Sequence, residues 1–301
     1  MQSMITPTSH HLARDGFSIH YLRWGEPAAG RPSAVLMHGL SFVGGTWTLL
    51  ARELARDYTV YALDRRGHGR SEIAAGSDYT FAASADDLVA FLDALELRAA
   101  YGVGHSSGAT DLLIAAGTRP AAFARVLAVE PTARDPRAAH DPDPTLSPLC
   151  RMLLERTRRR RGGYPGRESA FEGLHTRSPL KDWHPDILRA QVEYGFRDTP
   201  DGGVELCCQP ATEAEMLIPI FQIMENRYPG SELQRLLEVT CPVLVTSADG
   251  SDPIYAAMAA IAARVLPNAR HQPCRGVNHF WPQERPETFA ERVMAFAAET
   301  A

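Results

Sequence analysis

The spacing of apolar positions changes several times along this chain. Phe17 to Trp24, Ala34 to Met37 and Thr59 to Leu63 are short apolar or alternating runs of strand type. Thr46 to Arg56 carries a helical pattern, and Phe81, Ala85, Leu88, Leu92 and Leu95 recur at helical spacing. A strand ending in Tyr101 and Val103 precedes a helix over Ala109 to Gly117, and Arg125 to Glu130 reads as the next strand. Strand alternating with helix predicts a mostly parallel, doubly wound sheet covered on both faces, an α/β fold.

The rhythm stops after Pro131 and resumes at Pro242-Val243-Leu244-Val245. A helix over Tyr255 to Leu266, a strand near Ala269 to Gln272 and a helix over Pro286 to Ala298 follow. The simplest organisation is one core, residues 1–133 and 240–301, with a mainly helical cap at 134–239. Within the cap, Asp201-Gly202-Gly203 predicts a turn before the run Val204-Glu205-Leu206-Cys207.

Between the strand at Val103 and the next helix stands Gly104-His105-Ser106-Ser107-Gly108. An ordinary tight turn can hold serines, but G-x-S-x-G between strand and helix is the pattern of a nucleophile elbow. Small neighbours let strand and helix approach, and the helix N-terminus aims N–H groups at the site. Ser106 is then the candidate nucleophile and needs a base. His279, in Asn278-His279-Phe280-Trp281 after the last strand, is the candidate; His38, His68 and His105 sit beside glycines and read as structural. Oxyanion donors are expected from the N–H groups of Ser107 and of Leu40, which follows His38-Gly39.

These residues carry a resemblance. His38-Gly39, Trp47, Asp64-Arg65-Arg66-Gly67-His68-Gly69-Arg70-Ser71, the elbow and Asn278-His279-Phe280 fall where the α/β-hydrolase fold superfamily has them, over nearly the full chain. The cap is similar to that of lidded bacterial esterase-like members. The resemblance implies a triad acid, and the usual loop reads Ala248-Asp249-Gly250-Ser251-Asp252-Pro253, with Ser251 at the usual position and Asp252 one residue late. A second placement, seen in some dehalogenases and zearalenone-type lactone hydrolases, follows the strand after the elbow helix, where Glu130 stands. Glu130 is the preferred acid; Asp252 and, behind it, Asp249 stay open.

A serine at 106 disfavours dehalogenase and epoxide hydrolase chemistry, which uses a carboxylate there. Hydrolysis of a carboxylic ester or lactone of a fairly apolar small molecule leads. A ligand-sensing receptor of the same fold, a C–C bond hydrolase and an acyltransferase are the alternatives. Gly39, Phe42, Trp183 and Trp281 are expected to contact substrate, with Trp47, Tyr194, Met216 and Phe221 as further lining candidates.

Composition narrows the partners. Of 301 residues 45% are hydrophobic, ample for a core, and the net charge of −5 argues against nucleic acid or an anionic membrane surface. The one basic run, Arg156-Thr157-Arg158-Arg159-Arg160-Arg161, reads as a solvated helix end, with an anion or substrate contact as its alternative. Five cysteines without CxxC spacing and a polar opening, MQSMITPTSHHLARDG, predict a cytoplasmic protein without a disulfide framework. His10-His11 read as part of a loose loop. No cofactor or metal is expected, and a homodimer is compatible with everything above.

Overall fold

The computed structural model describes residues 5–73 and 76–299; the first four residues of the polar opening lie outside the described residues. Six strands precede the break in the pattern: β1 (Thr8–Arg14), β2 (Phe17–Trp24), β3 (Ser33–Met37), β4 (Thr59–Leu63), β5 (Ala100–His105) and β6 (Phe123–Val129). Between them run α1 (Thr48–Leu54), α2 (Phe81–Ala94) and α3 (Ser107–Thr118). The segment after β6 holds α4 (Pro148–Arg158), β7 (Gly163–Tyr164), α5 (Arg167–His175), α6 (Pro185–Gly195), β8 (Phe196–Asp198), β9 (Val204–Leu206) and α7 (Pro210–Met224). The chain then returns through β10 (Val243–Ala248), α8 (Pro253–Val265), β11 (Ala269–Cys274), α9 (Trp281–Glu284) and α10 (Pro286–Ala297).

Eight strands form one sheet in the order β1-β2-β4-β3-β5-β6-β10-β11. β1 and β2 pair antiparallel, as do β2 and β4, and the other neighbours are parallel. β7, β9 and β8 make a separate small antiparallel sheet, whose β8–β9 turn has Gly202 at φ +85°.

The central strands β4 and β5 are buried along their whole length, as expected for strands covered on both sides. On one face Leu88, Leu92, Leu112, Ala115 and Met258 pack; on the other Leu50, Leu54, Trp47, Phe289 and Val293 do. Tyr228, Leu233, Leu236 and Val239, late in the 134–239 segment, join the first of these clusters rather than packing among themselves.

The expectation of a loose loop at His10-His11 is corrected. Both lie in β1, an edge strand in full register with β2. His10 stacks on Tyr21 at 5.2 Å, and His11 Nδ1 meets Ser18 Oγ at 3.1 Å. Polar residues at an exposed edge hide the strand from a hydrophobicity pattern. Trp47 closes a 3₁₀ turn (Gly44–Trp47) that leads into α1, so the expected single helix there begins in a tighter coil.

Candidate functional site

The site forms where β5, β6 and β10 end side by side. His105 pairs with Val129, and Val129 with Thr246. The next residues, Ser106 and Glu130, therefore leave neighbouring strands at the same level, and both have left-handed backbones, at φ +53° and +44°. Such conformations cost on the order of 1–3 kcal/mol at non-glycine residues and persist where the surroundings fix them. Ser106 N–H donates to Val129 O (2.8 Å), and Glu130 N–H to Thr246 O (2.9 Å).

The elbow's glycines have steric reasons. A Cβ at Gly108 would stand 2.3 Å from His38 O and 2.7 Å from Met37 O; at Gly104 it would stand 2.5 Å from Ala109 Cα. Strand and helix cross too closely for any side chain. α3 consequently starts directly at Ser107, whose N–H is at the first helical position, where no intrahelical acceptor exists.

Glu130 is fully buried, and its carboxylate has three donors. Ala248 N–H donates to Oε1 (2.9 Å), Ser251 Oγ to Oε2 (2.9 Å), and His279 Nδ1 to Oε2 (2.6 Å). Three donors offset the cost of burying the group. Because a carboxylate accepts, Nδ1 carries the imidazole proton and Nε2 presents its lone pair. Two rings pack against it: Tyr255 stacks on it at 4.0 Å between centroids, and His105 lies 4.6 Å away while donating Nε2–H to the His279 carbonyl (2.7 Å).

The other acidic candidates are placed elsewhere. Asp252 is exposed and caps α8, its Oδ1 accepting from Ile254 N–H at 3.0 Å. Asp249 Oδ1 accepts from Gly276 N–H at 2.8 Å and so ties down the loop that bears His279. Asp252 as the residue facing His279 is thereby corrected: it stands at the first turn of α8, where an N-cap carboxylate is favoured.

The segment 38–42 is braced from every side. His38 Nδ1–H donates to Gly39 O (2.7 Å) and its Nε2 accepts from Arg65 N–H (3.0 Å). His68 Nε2 accepts from Ser41 N–H (3.0 Å), and Gln191 Nε2 donates to Ser41 O (3.0 Å). Ser41 Oγ donates to the buried Glu213, which also pairs with Arg160. Burial holds the imidazoles of His38 and His105 well below their ordinary range and that of His68 down at about 3, so all three are neutral braces. Asp64 adds a lower layer, accepting from Gly44 N–H (2.7 Å), Arg70 N–H (2.9 Å) and His20 Nδ1 (2.7 Å). Leu40 N–H has no acceptor among the described residues.

A cavity of about 540 Å³ opens above these groups. Ser106, His279, Gly39, Leu40 and Phe42 line it, with Phe221 and Tyr255. Trp183 and Trp281, expected at the substrate, do not. Trp183 is buried behind the wall, edge-on to Phe42 at 4.8 Å. Trp281 packs on Phe289 at 5.3 Å and donates Nε1–H to Thr288 Oγ1 (3.0 Å). Both indoles are consumed by core packing, the commoner fate of a large aromatic ring. Trp47, Tyr194 and Met216 are also absent from the lining, whereas Arg156, Arg160, Arg161 and Arg177 belong to it. Arginines from the basic run thus reach the cavity rather than standing wholly in solvent.

Among the described residues no group of three or more His, Cys, Asp or Glu side chains could hold a metal ion, and no helix is long and apolar enough to cross a membrane. The five cysteines are free thiols.

Comparison with known proteins agrees with this architecture. The chain is 24% identical over 265 residues to a 2-(acetamidomethylene)succinate hydrolase of Mesorhizobium japonicum, covering 88% of this chain and 87% of that protein. The crystal structure of an E-2-(acetamidomethylene)succinate hydrolase superposes with a TM-score of 0.76 at 21% identity, over 98% of this chain and all of the other. At such identity the likeness carries the fold alone. An N-formylmaleamate deformylase of Pseudomonas putida is 33% identical over 127 residues, 42% of this chain and 46% of that enzyme. The matches to this deformylase and to putative carbamate hydrolases of Caulobacter span less than half of those proteins' length. The model of the alpha/beta hydrolase family matches residues 34–292, most of the chain. The protein belongs to the alpha/beta hydrolase family.

Proposed function

We propose that this protein is a serine hydrolase that cleaves a carboxylic ester or lactone through an acyl-enzyme on Ser106. The observation that carries this reading is the 2.6 Å contact between His279 Nδ1 and the buried Glu130 carboxylate, at a cavity that Ser106 also lines. A carboxylate on Nδ1 fixes the ring and its tautomer, leaving Nε2 to take a proton.

In this mechanism Ser106 Oγ attacks the acyl carbon as His279 Nε2 removes its proton. Glu130 stabilises the imidazolium without being protonated itself. The oxyanion is received by the N–H groups of Ser107 and Leu40, both fixed before substrate arrives. His279 then returns the proton to the leaving alcohol. Water, activated by the same imidazole, releases the acid. The segment 134–239 acts as a cap: α4, α5 and α7 supply cavity residues from above, excluding water and selecting substrate.

The test is a panel of aryl esters, aliphatic esters and lactones offered to the wild type and to Ser106→Ala. Turnover in the wild type and none in the variant supports the reading; equal turnover in both overturns it.

A further inference from the structure

The cavity above Ser106 is not electrically neutral. Four arginines line it, Arg156, Arg160, Arg161 and Arg177, against a single acidic residue, Glu213. Glu213 is spent on Arg160 and on the Ser41 hydroxyl. Arg161 donates to Gly163 O (2.7 Å) and lies over the Tyr164 ring at 4.2 Å, contacts that orient its guanidinium without cancelling its charge. Arg156 and Arg177 have no carboxylate partner among the described residues, although most other arginines of this chain do. Three uncompensated positive charges therefore face one cavity in a chain of net charge −5.

Local structure accounts for part of this only. Arg156 sits in the last turn of α4, where the helix dipole favours a cation. That does not explain Arg177, which follows α5 on a separate piece of chain and lines the same space. Like charges brought to one cavity from two elements repel, and an anion lying between them relieves that repulsion. Much of the remaining wall is apolar, with Leu217, Ile220, Phe221 and Met224 contributed by α7.

We infer that the substrate is an acyl compound carrying a free carboxylate at a distance from the scissile bond, bound by Arg156 and Arg177 with Arg161. This rests on the reading of Ser106 as nucleophile and refines its substrate class: an apolar acyl chain along α7, ending in a carboxylate at the arginines. Guanidinium matches carboxylate in a two-pronged, charge-assisted geometry, which gives orientation as well as attraction. The anchored carboxylate aligns the acyl carbon over Ser106, so the effect appears in the rate of acylation.

The test uses two fluorophosphonates of equal length that react with an active serine, one ending in a carboxylate and one in its methyl ester. Second-order labelling rates of Ser106 are measured in the wild type, in Arg156→Gln/Arg177→Gln, and in Arg98→Gln, an exposed arginine outside the cavity. The wild type should prefer the carboxylate probe by about tenfold or more. About 0.5 M salt should shrink that ratio, because the arginines are exposed and screened. The double variant should bring the ratio close to unity, with labelling by the methyl ester probe showing that it is folded, and Arg98→Gln should keep the wild-type ratio. Labelling of the wild type without charge preference overturns the inference and leaves the serine hydrolase reading standing. Failure of both probes to label Ser106 overturns that reading instead. A phosphate-terminated probe reacting faster than the carboxylate one overturns the assignment of carboxylate.

Discussion

The Ser251 hydroxyl lies 2.9 Å from Glu130 Oε2 and donates to the same oxygen that meets His279 Nδ1. Ser251 stands in the loop after β10, where this superfamily usually keeps its acid, while Glu130 comes from the end of β6. The two positions meet at one carboxylate oxygen from neighbouring strands; in the mechanism we propose, Glu130 is the acid and Ser251 its neutral helper. Glu130→Gln should lower kcat by about 10⁴-fold, the size of the loss when a triad acid is made neutral. Ser251→Ala removes one of three donors to a buried carboxylate and should cost about 1–3 kcal/mol of stability with a smaller kinetic effect. Asp252→Asn should change neither, since asparagine caps a helix as well as aspartate does. Steady-state rates and melting curves of the three variants check this; a kinetic loss in Asp252→Asn matching that of Glu130→Gln would sink the assignment.

Ser106→Ala tests the nucleophile apart from the fold. Backbone contacts of residue 106, the Val129 carbonyl among them, survive the change. We expect ester cleavage to fall by about 10⁴-fold or more, with an unchanged melting temperature. The left-handed backbone at this position is fixed by α3 and β5, so the crystal structure of the variant should keep φ near +53°.

How much of this was legible in the sequence depended on what each residue answers to. The parallel strands and the elbow announced themselves because burial on both faces demands apolar runs, and because Gly104 and Gly108 have no room for a Cβ. Ser106, His279 and Glu130 could be proposed from their places at strand ends. Other features depend on distant parts of the chain. Trp183 and Trp281 read as substrate-contacting aromatics, but whether an indole faces a cavity or a core is decided by neighbours such as Phe42 and Phe289. Arg156 looked like a solvated helix end because nothing local shows that Arg177 faces the same space. β1 gives no hydrophobic pattern, since an exposed edge strand has no need of a hydrophobic face.

Gly108 offers a steric prediction. An added methyl would meet the carbonyl oxygens of Met37 and His38 at 2.7 and 2.3 Å, and both belong to backbone that leads into the oxyanion segment. α3 would have to move away from β3. Gly108→Ala should therefore destabilise the protein by about 3 kcal/mol, the upper end of the usual range for overpacked core sites. It should also slow acylation, since the Ser107 and Leu40 N–H groups would shift apart. Chemical denaturation measures the first effect and labelling kinetics the second; an Ala variant as stable as wild type would mean the contact is softer than described.

Acid should loosen the fold through its buried histidines. His38, His68 and His105 are fully buried and their imidazoles are held below the ordinary value of 6.5, with desolvation as the largest cause in each; for His68 the value is about 3. In the unfolded chain each takes a proton as pH falls through about 6.5, whereas the folded protein does not until far lower. The unfolded state thus binds more protons between about pH 6.5 and 3, and stability must fall across that window. For His68 the loss at pH 5 relative to neutral pH is about 2 kcal/mol. Asp111 and Glu213, whose carboxyls burial pushes up, work in the opposite sense but only as pH nears the carboxylate range. Urea unfolding at several pH values between 7.5 and 5 should show stability declining with acid. In His68→Gln, whose amide oxygen can still accept from Ser41 N–H, the slope near pH 5.5 should be shallower by about one proton. A wild-type curve that is flat, or that rises toward pH 5, would mean these rings already carry protons in the native state.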